Sequence, residues 1–320
     1  MRKNSTQSGA LDKPAGGDNR GRFVLFAVIA AGMVALCFFA FRTGDRKPQY
    51  NPEYATAPNA KSNVLVFGVH PLHNPQRLQE TYGPLTDYLN RNLADKRIVL
   101  EASRSYEVFE QKLYSRHFHF ALPNPYQTIN SLKHGYRVFG KMGEDDKFRG
   151  VILVRKDSGV NTVADLKGRT VSFPAPTALA ATMMPLYFLH TQGLDVNQDI
   201  HRLFAGSQES SIMNVYLRQA AAGATWPPPW QAFVERNPQF AAELVVKWET
   251  PPLVNNALVV RDDVPQRVVD QVAGLLFALH THAEGRTLLA ALPLARFESA
   301  MDETYQPVTD FLEKYNAAVH

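Results

Sequence analysis

Short apolar runs alternate with amphipathic stretches along the chain from residue 63 onward. The runs Val64–Val69 and Ile98–Leu100 are apolar and contain β-branched residues, and they predict two strands. Between them, leucines at positions 78, 85, 89 and 93 have the spacing of one face of a helix. The pattern continues with a helix over 106–114, a strand over 118–122 and a helix after Pro125. Strands that alternate with helices in this way are typical of an α/β protein with mainly parallel sheets.

A second series of the same kind starts at Val151–Val154. It continues with a short helix that ends at Gly168, a strand over 170–173, helices after Thr177 and over 210–218, strands over 244–246 and 257–260, and a helical stretch over 268–279. A chain that leaves one lobe, builds another and returns has two crossing segments, a hinge and a cleft. We therefore predict lobe I from residues 63–150 and 252–320, and lobe II from residues 151–251.

The first 62 residues have a different pattern. Residues 23–41 form an uncharged run between Arg22 and Arg42, and as a helix this run would be about 28 Å long, close to the ~30 Å hydrocarbon core of a membrane. The basic residues that precede it place residues 1–22 in the cytoplasm as a tail. Residues 42–62 contain prolines among polar residues and predict a linker. We expect a single-pass inner-membrane protein with a signal-anchor helix over 23–41 and its C-terminal domain in the periplasm.

Charge and motifs exclude several classes of function. The net charge is +4, and five basic against two acidic residues place +3 of it in residues 1–22, so we expect no nucleic-acid binding. Cys37 is the single cysteine, which excludes an intramolecular disulfide. No nucleophile elbow and no phosphate-binding glycine motif is present. His117 and His119 alternate on a predicted strand, but one packed and one exposed histidine is a simpler interpretation than a metal site. We predict no enzyme, no cofactor and no metal.

Several segments match one family in order. Gly150–Gly168 closely resembles the lobe-crossing strand, Asp-Ser-Gly turn and Asp-Leu-Lys-Gly helix of the phosphate/phosphite/phosphonate-type periplasmic substrate-binding proteins of ABC transporters. Trp248–Pro265 resembles the return segment of that family. Weaker matches run over Gly68–Leu89 and Ser105–Tyr126. The resemblance covers about residues 63–320.

This resemblance implies a two-lobed α/β periplasmic binding protein fold of type II. It also implies a small ligand, an oxyanion such as phosphonate, phosphite or phosphate or a less polar relative, that the cleft captures and delivers to a membrane permease. Two other functions stay open at this point. The chain could be a membrane-tethered ligand sensor for a histidine kinase, or a degenerate structural subunit of a membrane complex.

The resemblance also indicates candidate ligand residues. The helix start that holds the oxyanion in the family corresponds to residues 174–182, where Thr177 and Thr182 remain but alanines replace other hydroxyl positions. Tyr106 and Tyr126 match loop positions that face the family cleft, and His70 lies in the loop after the first strand. An aspartate expected before Gly223 is also replaced by alanine, and Phe148 stands where a tyrosine is expected.

Two tryptophans are further candidates, and they are chosen for the chemistry of their side chains and not for the family resemblance. Trp226 and Trp230 are four residues apart around three prolines, which stiffen the segment. The indoles can line a wall of the cleft and suit a flat, apolar or cationic ligand, or they can pack the lobe. The predicted ligand-binding residues are therefore His70, Tyr106, Tyr126, Thr177, Thr182, Trp226 and Trp230.

Overall fold

The computed structural model describes residues 63–319. Its strands are β1 (Val64–Val69), β2 (Arg97–Ala102), β3 (Phe120–Leu122), β4 (Tyr136–Met142), β5 (Val151–Arg155), β6 (Arg169–Phe173), β7 (Ile200–Phe204), β8 (Ala222–Thr225), β9 (Leu244–Glu249), β10 (Ala257–Arg261) and β11 (Phe297–Glu298). Its α-helices are α1 (Pro75–Asn92), α2 (Tyr106–Tyr114), α3 (Pro125–Leu132), α4 (Met184–Thr191), α5 (Gln208–Tyr216), α6 (Pro227–Arg236), α7 (Pro238–Ala241), α8 (Gln266–Ala278), α9 (Ala283–Ala291) and α10 (Gln306–Val319). Short 3₁₀ turns occupy Asp145–Lys147, Val163–Leu166, Leu279–Thr281 and Asp302–Tyr305, and a π-helical turn, Leu179–Met183, precedes α4.

The strands form two separate sheets, and each sheet is the centre of one lobe. The first lobe is built on the order β11-β4-β10-β3-β1-β2, and the second lobe on the order β7-β6-β8-β5-β9. In the first sheet β1 runs parallel to β2 and β3, whereas β10 is antiparallel to β3 and β4. In the second sheet β6 runs parallel to β7 and β8, whereas β5 is antiparallel to β8 and β9. The predicted α/β class is right, but both sheets are mixed rather than mainly parallel because β5 and β10 enter from the opposite lobe.

Two crossing segments join the lobes and are hydrogen-bonded to each other. The backbone N–H of Gly150 donates to Thr250 Oγ1 over 2.9 Å, and the N–H of Thr250 donates to the carbonyl of Gly150 over 2.9 Å. The N–H of Leu253 donates to the carbonyl of Phe148 in the same way. This ladder sits where the chain passes between the sheets and gives the lobes a common hinge. The residue boundaries predicted for the lobes stay predictions.

Helix starts of both lobes are gathered at the cleft. Strands β1, β2 and β3 are parallel, so their carboxyl ends share one edge of the sheet, and the loops after them lead into α1, α2 and α3. Side chains of Asn74, Ser105 and Asn124 cap these helices by accepting from backbone N–H groups. In the second lobe Ser207 caps α5 after β7. The caps explain why the chain turns into helices at this edge.

The N-terminal predictions concern a part of the chain that the structure does not describe. The predicted tail, membrane span and linker at 1–22, 23–41 and 42–62 all lie outside residues 63–319. Within the described residues, every helix is too short or too polar to cross a membrane.

A closed cleft between the lobes

The two lobes meet around a small cavity. Its volume is about 10 Å³, roughly the space that one water molecule occupies. The first lobe and the crossing segments contribute His70, Tyr106, Asn124, Phe148 and Asn256, and the second lobe contributes Ala178, Leu179, Ala180, Ala181, Gln208 and Trp226. Buried side chains continue from one lobe to the other through this point. The structure therefore has its cleft closed.

Hydrogen bonds between the lobes hold the cleft shut. Gln208 Nε2 donates to the Tyr106 hydroxyl of the first lobe over 3.1 Å, and Gln208 Oε1 is held within its own lobe by accepting from Thr225 Oγ1 over 2.8 Å. Asn124 Nδ2, from the start of α3, donates to the carbonyl of Thr177 in the second lobe over 2.9 Å. Burial raises the pKa of Tyr106 above its ordinary range, so the hydroxyl keeps its own proton. That proton remains available for a ligand oxygen.

His70 lies on the cavity wall as a neutral imidazole. Its Nδ1 donates to the carbonyl of Leu122 over 2.9 Å, because a carbonyl can only accept. Burial lowers the pKa of His70 to about 4, and this hydrogen bond offsets only part of the effect. Near neutral pH the proton therefore stays on Nδ1, and Nε2 is a hydrogen-bond acceptor.

Asn256 brings an unsatisfied polar atom to the same wall. The residue is completely buried, its Nδ2 lies 3.5 Å from the Met142 sulfur, and its Oδ1 has no hydrogen-bond partner. A buried amide oxygen without a partner costs about 1–3 kcal/mol in the ligand-free protein. Buried polar groups in proteins nearly always have a hydrogen-bond partner, so this exception needs an explanation, such as a bound water, ion or ligand.

The family model for "ABC transporter, phosphonate, periplasmic substrate-binding protein" matches residues 67–305. The chain belongs to this family. Family membership confirms the prediction of a substrate-binding transport protein that is not an enzyme, and it supports this prediction over the sensor and structural alternatives. The family is periplasmic, which places the matched domain outside the cytoplasm.

Individual relatives are distant. The probable ABC transporter phosphite binding protein PhnD1 of Prochlorococcus marinus (strain MIT 9301) is 23% identical over 203 residues, 59% of this chain and 67% of the relative. The solved structure of the same organism's PhnD1, in complex with methylphosphonate, has a TM-score of 0.73 at 20% identity and covers 81% of this chain and 99% of that one. A phosphonate transporter binding component from Pseudomonas aeruginosa also has a TM-score of 0.73, at 17% identity, covering 80% of this chain and 89% of that one. These likenesses show the two-lobed binding-protein fold.

The structure brings three of the seven predicted ligand residues to the cavity. They are His70, Tyr106 and Trp226. The Trp226 and Phe148 rings lie 5.5 Å apart between centroids, and together they make an apolar wall. Alanines 178, 180 and 181, whose lost hydroxyls the sequence indicated, lie directly on the cavity, so side-chain donors are absent from that stretch of the wall.

The other four predicted residues occupy different surroundings. Thr177 contributes its backbone carbonyl to closure, with its side chain half-buried. Tyr126 is half-buried against the main core. Trp230 lies one turn into α6 and stacks on Phe233 at 5.9 Å between centroids, in the second lobe's own cluster. Thr182 is buried in the π-helical turn, and its Oγ1 has no hydrogen-bond partner.

Sequence reasoning missed three polar residues of the wall. Asn124 and Gln208 stand at helix starts, and Asn256 follows Asn255 just before β10. The strongest available signal was position, because helix starts after parallel strands face the ligand in α/β folds. The location of Asn256 in the return segment carries no such signal.

Proposed function

We propose that this protein is the extracytoplasmic receptor of an ABC importer and that its ligand is a small phosphonate held in the cleft between the lobes. The observation that carries the proposal is the buried set of polar groups on both lobes, with the partnerless Asn256 Oδ1 among them. Family membership and the methylphosphonate complex of the P. marinus protein support the ligand class.

The groups on the wall suit the two ends of such a ligand. On opening, the Tyr106 hydroxyl and the Gln208 amide exchange their mutual bond for bonds to the oxyanion. Neutral His70 accepts from a protonated phosphonate oxygen, and the first turn of the helix after Ala178 supplies backbone N–H donors. Phe148 and Trp226 pack against the organic substituent. Inorganic phosphate has no such substituent, so we expect it to bind more weakly.

The alanines at positions 178, 180 and 181 limit the affinity of the cleft for an oxyanion. Each hydrogen bond that the oxyanion lacks costs about 1–3 kcal/mol, or about one to two decades in the dissociation constant. We therefore expect a receptor of moderate affinity, in which capture depends on the polar groups of the cavity wall and on the apolar wall formed by Phe148 and Trp226.

Calorimetric titration of the full chain with methylphosphonate, phosphite and phosphate tests the ligand. We expect methylphosphonate to bind most tightly, and Tyr106→Phe to weaken it by about tenfold because one charge-assisted hydrogen bond is lost. The matched control is Tyr187→Phe, whose ring packs on Phe311 and does not line the cavity. Equal affinities of the two variants, or no binding of any of the three anions, would reject the proposed ligand.

We also propose that residues 23–41 hold the receptor in the inner membrane, next to its permease. The support is the uncharged run and the basic residues before it. Replacing residues 1–42 with a cleavable export signal should move the protein from the membrane fraction to the fraction that osmotic shock releases. Release of the unaltered chain by osmotic shock would contradict the anchor.

A further inference from the structure

A second, larger cavity lies between the lobes. Its volume is about 260 Å³, against about 10 Å³ for the closed cleft. The first lobe lines it with the loop after β1 and the first turn of α1, and the second lobe lines it with the starts of α5 and part of α6. Gln208 borders both cavities. The larger space is therefore a neighbour of the ligand cleft and reaches across the same lobe boundary.

Two arginines from opposite lobes line this second cavity. Arg77 Nε is buried without a hydrogen-bond partner, and its Nη1 is 3.6 Å from the Glu80 carboxylate. Arg236 donates from Nε to the carbonyl of Ala232 over 3.1 Å, and its Nη2 is 3.6 Å from the Glu209 carboxylate. Ion pairs at such distances in half-exposed side chains are weak. Both guanidinium groups therefore keep N–H donors for another acceptor.

His73 also lines this cavity. Its imidazole is half-buried on the wall. Burial is the largest cause that lowers the pKa of His73 to about 3, and the positive charges of Arg77 and Arg236 add to it. The starts of α1 and α5, capped by Asn74 and Ser207, also lie here and present the positive ends of their helix dipoles.

We propose that this cavity binds a phosphonate, phosphate or carboxylate group between Arg77 of the first lobe and Arg236 of the second. An anion held by both lobes stabilises the closed arrangement, because opening would separate its two partners. The Glu209 carboxylate on the wall opposes the anion and lowers its affinity. Removing one of the positive side chains should therefore weaken anion binding, whereas removing the negative side chain of Glu209 should strengthen it.

Two kinds of ligand can supply this anionic group. It belongs either to a free anion or to a phosphonate that carries a second anionic group, with one end in the cleft and the other past Gln208. Inorganic phosphate and malonate are probes for the first source. Phosphonoacetate, which joins a phosphonate to a carboxylate, is the probe for the second.

Calorimetric titrations of the full chain with these three probes test the site. We expect Arg77→Gln and Arg236→Gln each to weaken binding at least tenfold, and Glu209→Gln to tighten it several-fold. Arg91→Gln is the matched control, since Arg91 lies at the far end of α1, is exposed and pairs with Glu284. It changes the net charge equally and should leave binding unchanged.

The variants that lose binding distinguish this second site from the ligand site in the cleft. Arginine-dependent binding of phosphate or malonate supports a free anion, and arginine-dependent binding of phosphonoacetate alone supports the second source. If Tyr106→Phe weakens methylphosphonate binding and Arg77→Gln leaves it intact, the proposed ligand site in the cleft is supported independently of the second site. The second site is overturned if none of the three probes binds, or if Arg77→Gln and Arg91→Gln behave alike with all of them.

Discussion

At the scale of single residues, the folded protein keeps buried polar groups in and beside the cleft at a cost. His70 on the cavity wall is neutral because it is buried, and Asn256 Oδ1 on the same wall is buried without a partner. Thr182 Oγ1, in the neighbouring π-helical turn, is also buried without a partner. Apolar side chains of similar size would be cheaper at such positions. The cost is a reason to test each group for a role in binding.

The buried histidine makes stability depend on pH. The unfolded chain binds a proton at position 70 near pH 6.5, whereas the native protein binds it only near pH 4. Between these values the unfolded state holds more protons, so stability falls as pH falls, by about 3 kcal/mol in total from this group. His73 adds to the same trend. Denaturant unfolding at several pH values measures the slope.

The variant His70→Asn isolates the contribution of His70. An asparagine amide can still donate to Leu122 O, but it does not titrate. We expect a shallower loss of stability between pH 6.5 and 4 than in the unaltered protein. An identical slope would show that the pKa of His70 is the same in the folded protein as in the unfolded chain.

The hydroxyl of Thr182 is tested by removing it. We expect Thr182→Val to stabilise the ligand-free protein by about 1 kcal/mol, because an unsatisfied buried hydroxyl disappears. We also expect weaker methylphosphonate binding if this hydroxyl meets the ligand, as the sequence predicts. The control is Thr128→Val, where Oγ1 donates to the carbonyl of Asn124 over 2.9 Å and its loss should destabilise by about 1 kcal/mol. Equal destabilisation by both changes would contradict the first expectation.

At the scale of elements, the helix starts and the hinge must fit closely for the cleft to shut. Gly150 in the crossing segment touches the π-helical turn: a Cβ there would overlap Ala180 O and lie 2.7 Å from Pro185 Cγ. The glycine therefore lets the hinge and the cavity-lining turn lie against each other. Its role is close approach, since no special backbone angle is needed.

The variant Gly150→Ala should be destabilising. Overlap with a backbone carbonyl and a proline ring forces one segment to shift, at a cost of about 1–3 kcal/mol. Gly274→Ala is the control, because Gly274 lies exposed within α8 with open space around it and should gain up to about 1 kcal/mol from helix propensity. Thermal unfolding measures the stability of both variants. Equal midpoint temperatures would show that the close packing at Gly150 does not require a glycine.

At the scale of the whole molecule, contacts between the lobes hold the cleft closed. The Gln208–Tyr106 and Asn124–Thr177 hydrogen bonds cross the boundary, and the cavity beneath them is too small for a phosphonate. Ligand entry therefore requires the lobes to separate about the hinge. The arginine-lined cavity beside the cleft belongs to the same moving boundary.

Removing one of these contacts should favour the open form. We expect Gln208→Ala to increase the radius of gyration of the ligand-free protein in small-angle scattering, because the amide bridges both lobes. Gln231→Ala, at an exposed position of α6 where the side chain bonds only Glu235, is the control. Equal radii for the two variants would mean that Gln208 does not hold the lobes together.

Much of the architecture could be predicted from the sequence because it rests on local periodicity. The leucine spacing over residues 78–93 became α1, which spans Pro75–Asn92, and the apolar run at Val151–Val154 became β5. The family resemblance rests on segments that keep their order along the chain, and the family match confirms it. The direction of β5 and β10 was not predictable from periodicity, because an apolar run does not say from which side it enters a sheet.

The sequence by itself determined the fold class and the family, and it indicated the alanines at positions 178, 180 and 181 that line the cavity. Only the tertiary structure decided which polar groups meet. Trp226 and Trp230 look equivalent in sequence, yet one lines the cavity and the other packs on Phe233, because Trp226 has an extended backbone just before α6 whereas Trp230 lies within the helix. Asn256 and Gln208 meet at the closed cleft from distant segments, and Arg77 and Arg236 line the neighbouring cavity together with Gln208. Contacts of this kind depend on how two lobes close, which no local pattern encodes.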